Sequence, residues 1–133
     1  AAFEEALRLD PTSAQARRNL GDVRAWQGRT DEAIMELRRA AALEPTHAGT
    51  RVRLAGLLLE QQRLSEAADE FRGAVALEPR SAELRNDLGL TLAALGRVDE
   101  AIVEFQEAVR LRPDFAQAAR NLDAARRSTR QRP

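Results

Sequence analysis

The sequence predicts an all-α fold made by stacking one helical unit on the next, and three observations lead there. Prolines at positions 11, 45, 79 and 113 are separated by 34 residues each time. Superposing the chain on itself with that period aligns Leu20, Leu54, Leu88 and Leu122 in one column and Gly21, Ala55, Gly89 and Asp123 in the next. Further columns hold Gly28, Gln62 and Gly96; Ala33, Ala67 and Ala101; Leu37, Phe71 and Phe105; and Ala40, Ala74 and Ala108, the last two extended backward by Phe3 and Ala6. Finally, no stretch alternates apolar and polar residues with period two over a useful length, so strands are not expected. A fixed period of this size marks supersecondary units, none of which buries its hydrophobic face alone.

The elements follow in order. The chain opens in a helix over Ala2 to Leu9 and turns at Pro11. A helix from Ala14 to Gln27 starts behind Thr12 and Ser13, whose hydroxyls suit an N-cap. Gly28, free to take the left-handed conformation, ends it. The next helix begins at Thr30-Asp31-Glu32, where carboxylates complement the helix dipole, and runs to Leu43 before Glu44-Pro45 stops it. The scheme recurs as Ala48 to Gln61 with Ser65 to Leu77, and as Ala82 to Leu95 with Asp99 to Leu111. A lone helix over Phe115 to Arg127 closes the array. The organisation is therefore a single array over 1–133: 1–11 as the second helix of a broken repeat, full repeats at 14–47, 48–81 and 82–115, a capping helix at 116–127 and a tail at 128–133.

Composition narrows the function classes. The 133 residues carry 21 basic and 21 acidic side chains, a balance that argues against a dedicated nucleic-acid grip. Without cysteine there is no disulfide framework, thiolate metal site or cysteine nucleophile. The longest apolar run, Leu54 to Leu59, is six residues, so membrane insertion is not expected. All basic residues are arginine and alanine is abundant, which fits a GC-rich coding sequence and a bacterial source. The start at Ala-Ala-Phe-Glu-Glu, with no initiator methionine, points to a piece of a longer protein. Cytoplasm is the favoured compartment, with the periplasm open through an upstream segment.

The columns carry a resemblance. Asn19-Leu20-Gly21, Gly28-Arg29-Thr30-Asp31-Glu32-Ala33 and Ala42-Leu43-Glu44-Pro45 recur as Asp87-Leu88-Gly89, Gly96-Arg97-Val98-Asp99-Glu100-Ala101 and Val109-Arg110-Leu111-Arg112-Pro113. In this register the sequence resembles the tetratricopeptide repeat (TPR) family over all but its last half-dozen residues. The resemblance implies a right-handed superhelix of antiparallel helix pairs that serves as a scaffold for protein or peptide partners. Small residues at Gly21, Ala55, Gly89, Ala33, Ala67 and Ala101 let paired helices approach. Leu37, Phe71 and Phe105 fill the space between repeats, each stabilising by roughly 1.5–3 kcal/mol on burial.

Departures from the pattern matter too. The middle repeat has Gln62 where its neighbours have glycine, at a cost of roughly 1 kcal/mol if it turns left-handed. Gly49, Gly56 and Gly73 lie inside its helices, so this repeat is expected to be the softest. Asp123 replaces a small residue in the last helix, as suits a solvated cap. At the other end, Ala2, Phe3, Ala6 and Leu7 lack a pair partner. Truncation is the first explanation, and self-association through this N-terminal helix is expected of the isolated piece.

In the family the first helix of each repeat lines a concave groove, and the resemblance places residues there. The first repeat offers Gln15, Arg18, Asn19, Asp22 and Trp26; the second Gly49, Val52, Arg53, Gly56 and Leu59; the third Glu83, Asn86, Asp87, Leu90 and Ala94; the cap Gln117, Arg120, Asn121 and Ala124. Gly56, Leu59 and Leu90 make a low, partly apolar floor. Arg18, Arg53 and Arg120 suit carboxylates, and Asn19, Asn86 and Asn121 suit a peptide backbone. One subgroup clamps chaperone C-terminal carboxylates with lysine, arginine and asparagine. Arg18 matches one clamp position, but Asp22, Arg53, Glu83 and Asp87 occupy the other four, so that role is rejected. Trp26 is either a hot-spot anchor or a packing residue.

Catalytic and cofactor chemistry has little to work with. His47, the lone histidine, sits in an inter-repeat turn without converging partners and reads as a solvated turn residue. Asp31-Glu32 and Asp99-Glu100 repeat at helix starts, which is dipole complementation rather than acid–base pairing. Ser13, Ser65 and Ser81 occupy cap positions. No phosphate-cradling loop is present, and no cofactor, metal site or enzymatic activity is expected. The leading reading is a non-catalytic peptide-binding module. One alternative is an assembly spacer with no groove ligand. Another is polyanion contact through the C-terminal segment, where Arg120, Arg126, Arg127, Arg130 and Arg132 face only Asp123.

Overall fold

In the computed structural model, which describes residues 2–133, the described residues form eight helices and no strand. They are α1 (Ala2–Leu9), α2 (Ala14–Trp26), α3 (Thr30–Leu43), α4 (Ala48–Glu60), α5 (Leu64–Leu77), α6 (Ala82–Ala94), α7 (Val98–Leu111) and α8 (Ala116–Arg130). The chain divides into two compact units, Ala1–Arg63 and Leu64–Pro133.

The starts and stops have local causes. Ser13 Oγ accepts a hydrogen bond from the Ala16 amide at 3.1 Å, and Ser81 Oγ accepts one from the Leu84 amide at 3.3 Å. At the corresponding place before α4 stands His47, whose Nδ1 accepts from the Thr50 amide at 3.1 Å and lies 2.9 Å from the Thr50 hydroxyl. His47 is thus a half-buried helix cap, a correction to its reading as a solvated turn residue. The first helices end alike. Gly28 (φ 79°), Gln62 (φ 58°) and Gly96 (φ 78°) are left-handed. In each case the next amide, of Arg29, Arg63 or Arg97, reaches back to the carbonyl of Arg24, Leu58 or Leu92. This is the paired-bond C-cap that satisfies orphan carbonyls, and at Gln62 a side chain bears its strain, about 1 kcal/mol. α8 runs to Arg130, three residues past the expected 127. Thr129 bonds its hydroxyl to the Arg126 carbonyl, and Arg127 and Arg130 complement the last turn, so the polar tail continues the helix.

In the N-terminal unit, α2 packs on α3 through Leu20, Ala33, Ile34, Leu37 and Ala40, all buried. A β-carbon at Gly21 would stand 3.0 Å from Leu37 Cγ, so the glycine sets how close the helices come. The C-terminal unit repeats the device: a β-carbon at Gly89 would stand 2.5 Å from Phe105 Cε1. Leu88, Leu92, Ala101, Phe105 and Ala108 are buried around it. α8 docks through Ala118, Leu122 and Ala125; Ala118 joins Ala82 and Ala108 beside Val109, Leu111 and Phe115. Arg112 lies over the Phe115 ring, 4.0 Å from its centroid.

Polar ties follow the same register. Arg17 donates to Glu36 at 2.9 Å and to the Pro11 carbonyl at 3.2 Å. Sixty-eight residues on, Arg85 donates to Glu104 at 3.1 Å and to the Pro79 carbonyl. Each arginine ties a first helix to the second helix of its repeat and to the preceding turn.

Candidate functional site

Each unit opens a cavity where two first-type helices meet over the second-type helix between them. In the N-terminal unit it measures about 210 Å³ and is lined by Asp22 and Ala25 of α2, Leu37 of α3, and Arg53, Gly56, Leu57 and Glu60 of α4. In the C-terminal unit it measures about 250 Å³ and is lined by Leu90 and Ala93 of α6, Val98 and Phe105 of α7, and Asn121, Ala124, Ala125 and Ser128 of α8. The seven residues of the first, each moved by 68 positions, give seven of the eight of the second; Val98 is the addition. The same architecture therefore carries two chemistries. Asp22 and Arg53 form a 3.1 Å ion pair at the first cavity, where Leu90 and Asn121 stand at the second. Glu60 is matched by Ser128.

The residues expected in the groove are distributed unevenly. Asp22, Arg53 and Gly56 line the N-terminal cavity, and no heavy atom would lie within 4 Å of a β-carbon at Gly56. Arg18 is not offered to a ligand in this way. It is 5% exposed and donates to Glu44 Oε2 at 2.6 Å and to Gln15 Oε1 at 2.8 Å. The Arg18 hydrogen bond is the main cause that holds the Glu44 carboxyl below its usual range. Asn19 accepts from Gln15 at 2.9 Å. Leu59 is half-buried and lies outside the cavity lining, which Leu57 enters instead. Trp26 is 89% exposed at the end of α2, so it does not pack against a neighbouring helix.

In the C-terminal unit, Leu90 and Asn121 line the cavity, with Leu90 42% exposed. Asn86 is buried and its Oδ1 accepts from Asn121 Nδ2 at 2.9 Å. The carboxylate of Asp87, half-buried next to Asn86 in sequence, makes no hydrogen bond or ion pair among the described residues, while the backbone carbonyl accepts from the Thr91 hydroxyl at 2.9 Å. Burial, with a smaller contribution from Glu83, pushes its carboxyl above the usual range. Glu83 itself is held low by a bond from its own backbone amide and by its pairing with Arg112. Arg120 is exposed on α8 outside the cavity lining.

Ala25, Leu37, Leu57, Ala93, Val98 and Phe105 were absent from the sequence-based groove set. Leu37, Val98 and Phe105 come from second-type helices, which close the floor of each cavity and lie off the first-helix faces, whereas Ala25, Leu57 and Ala93 are on first-type helices, each next in sequence to an expected groove residue. The signal was present, since Leu37 and Phe105 share a column. Among the described residues, no three His, Asp or Glu side chains gather to hold a metal ion, and no helix is long and apolar enough to cross a membrane.

The tetratricopeptide repeat family model matches residues 1–48 and 52–114, with a second model of that description over 26–72. The chain belongs to the tetratricopeptide repeat family. Solved TPR-type structures share the fold. MamA superposes with a TM-score of 0.87 at 24% identity, over 96% of this chain and 75% of that one. MamA residues 41 to the end from Desulfovibrio magneticus RS-1 give 0.83 at 21% identity, over 96% and 72%. The first TPR of Spaghetti (RPAP3), bound to the HSP90 peptide SRMEEVD, gives 0.78 at 20% identity, over 89% and 94%. A comparison with curated protein sequences finds no match.

Proposed function

We propose that this TPR chain is a non-catalytic protein-interaction scaffold that holds extended peptide segments against the first-helix faces of its repeats. The observation that carries the reading is the recurrence, at a 68-residue offset, of a side-chain-sized cavity in each unit. Full repeats at 14–47, 48–81 and 82–115 with α8 as cap account for that recurrence. The peptide-bound TPR of Spaghetti lends support by showing the fold in this use. Its acidic peptide is a poor guide to the ligand, because Asp22 and Asp87 stand where a carboxylate clamp needs amide or cationic groups. Arg53 keeps its place in the site as the partner of Asp22, and Arg18 acts by positioning α2 through Glu44.

Peptide-array binding followed by fluorescence anisotropy tests this. Arg53→Glu and Leu90→Asp, one per cavity, are expected to weaken capture of the peptides that bind. Survival of capture in both variants would place the ligand elsewhere and favour a spacer role. A second reading has its own observation. Arg120, Arg126, Arg127 and Arg130 are exposed on α8 with no ion pair among the described residues. Polyanion binding that falls steeply with salt and vanishes on replacing these arginines would support it.

A further inference from the structure

We infer that the C-terminal unit selects a peptide in which an aliphatic side chain, seated in the α6–α7–α8 cavity, neighbours a basic one that pairs with Asp87. This rests on the peptide-binding reading and gives that ligand a chemistry. The comparison between the two cavities makes the first part. Asp22, Arg53 and Glu60 put three charged groups around the N-terminal cavity, while Leu90, Asn121 and Ser128 leave its counterpart uncharged. The floor changes from Leu37 to the larger, flat Phe105, and Val98 adds an apolar wall. At about 250 Å³ the space is below the range of whole small-molecule sites, about 300–1,000 Å³, and suits one side chain of a longer ligand. One N–H of Asn121 is already committed to buried Asn86.

Charge supplies the second part. Asp87 lies one turn before Leu90, on the same face of α6. Its carboxylate has lost part of its water and has gained no partner. The acid one turn earlier, Glu83, is already matched by Arg112, so the face keeps one uncompensated negative charge at Asp87. A cation beside the aliphatic group would recover what burial has cost that carboxylate. The exposed arginines of α8 do not cancel it: Arg126 and Arg130 leave α8 on the side away from Ala124 and Ser128, as 100° per residue requires, and Arg120 and Arg127, nearer that face, form no ion pair with Asp87. In the N-terminal unit the column residue equivalent to Asp87 is neutral Asn19, which is already bonded to Gln15. The selectivity therefore belongs to the C-terminal unit.

The probes are labelled peptides of the form Ser-Gly-Leu-X-Gly-Ser, with X as Arg, Ala or Glu, and a Ser-for-Leu control of the Arg peptide. The Leu-Arg peptide is expected to bind about three- to tenfold more tightly than Leu-Ala, the range of a partly exposed charge-assisted contact, with Leu-Glu weakest. Asp87→Asn is expected to abolish the Arg-over-Ala preference while thermal unfolding shows the fold intact, and Leu90→Asp to remove the Leu-over-Ser preference. Equal binding of Leu-Arg and Leu-Glu, or an Arg preference that persists in Asp87→Asn, overturns the inference. If Leu-Glu binds best and Arg120→Glu abolishes it, the groove reading stands and this selectivity falls. If none of the peptides binds and a broader array also yields nothing, the groove reading falls with it.

Discussion

Replacing Gly89 by alanine puts the closeness of the α6–α7 approach to a quantitative test. In a helix interior, glycine to alanine gains about 0.8–1 kcal/mol when nothing else changes. Gly56 is the control, because a β-carbon there meets no heavy atom within 4 Å. Gly56→Ala is therefore expected to raise Tm by about 3–5 °C, the shift that 1 kcal/mol produces in a domain of this size. At Gly89 the new atom would stand 2.5, 2.7 and 3.0 Å from three carbons of the Phe105 ring. Carbon–carbon contacts are comfortable at about 3.5–4.0 Å, so the ring has to retreat by about 1 Å. Phe105 is 1% exposed and its ring is rigid, so the displacement passes to the helix pair. Overpacking of this kind costs about 1–3 kcal/mol, which outweighs the propensity gain and leaves a net loss of up to about 2 kcal/mol. Gly21→Ala should fall between, since Leu37 is flexible and the contact there is 3.0 Å. Urea unfolding followed by circular dichroism ranks the three, with m held constant as the sign that stability alone has moved. Combining Gly89→Ala with Phe105→Leu should recover part of the loss, a coupling of contacting residues. A Gly89→Ala protein as stabilised as Gly56→Ala would refute the close-approach argument.

Three further outcomes are expected. His47→Ala should destabilise by about 0.5–2 kcal/mol through loss of the α4 cap, while His47→Ser should retain most of it, because serine fills that place before α2 and α6; urea midpoints compare them. Glu44 is held below the usual carboxylate range by Arg18, so its contribution is present above the unfolded value and is lost as pH falls through the lower folded one. Glu44→Gln should therefore be less stable than the parent at neutral pH and converge with it in acid, as denaturation across pH will show. Asp87 has the opposite sign: its raised folded value means that ionisation disfavours the fold. Asp87→Asn should be stabilising at neutral pH, with the gain disappearing below the ordinary aspartate range.

How far the sequence reached depended on the kind of signal. Helices appeared where a period, a cap and a stop coincided, and their ends differ from expectation by a residue or so at most of the termini. α8 differs by three, because Ser128 and Thr129 look like tail residues but continue a helix whose last turn favours arginine. The left-handed turn at Gln62 was readable only through its column, where glycine stands on either side; its own residue type argues against it. Single-column reasoning failed at Arg18. An arginine on a first-helix face looks available to a carboxylate, yet Glu44 belongs to the end of α3 and reaches it across 26 residues of sequence. His47 failed similarly, since histidine is an uncommon cap and the serine equivalence emerges only from the three starts together.

The cavities give the more general reason. A face read down one helix lists residues that share a direction, whereas a binding space is closed by three helices and its floor comes from the one left off that list. Leu37 and Phe105 were identified as filling residues, and they do fill, but only from one side. Each rests against the glycine of its own repeat and presents the rest of its surface to the next first helix. Helix packing and the cavity floor thus share a residue. Changing Phe105 to leucine would relax the contact with Gly89 and deepen the C-terminal cavity at once, whereas changing Leu90 touches the rim alone. Under the proposed peptide-binding role, the rim positions, which carry Asp22 and Arg53 in one unit and Leu90 and Asn121 in the other, are therefore where the ligand would be varied with least effect on the fold.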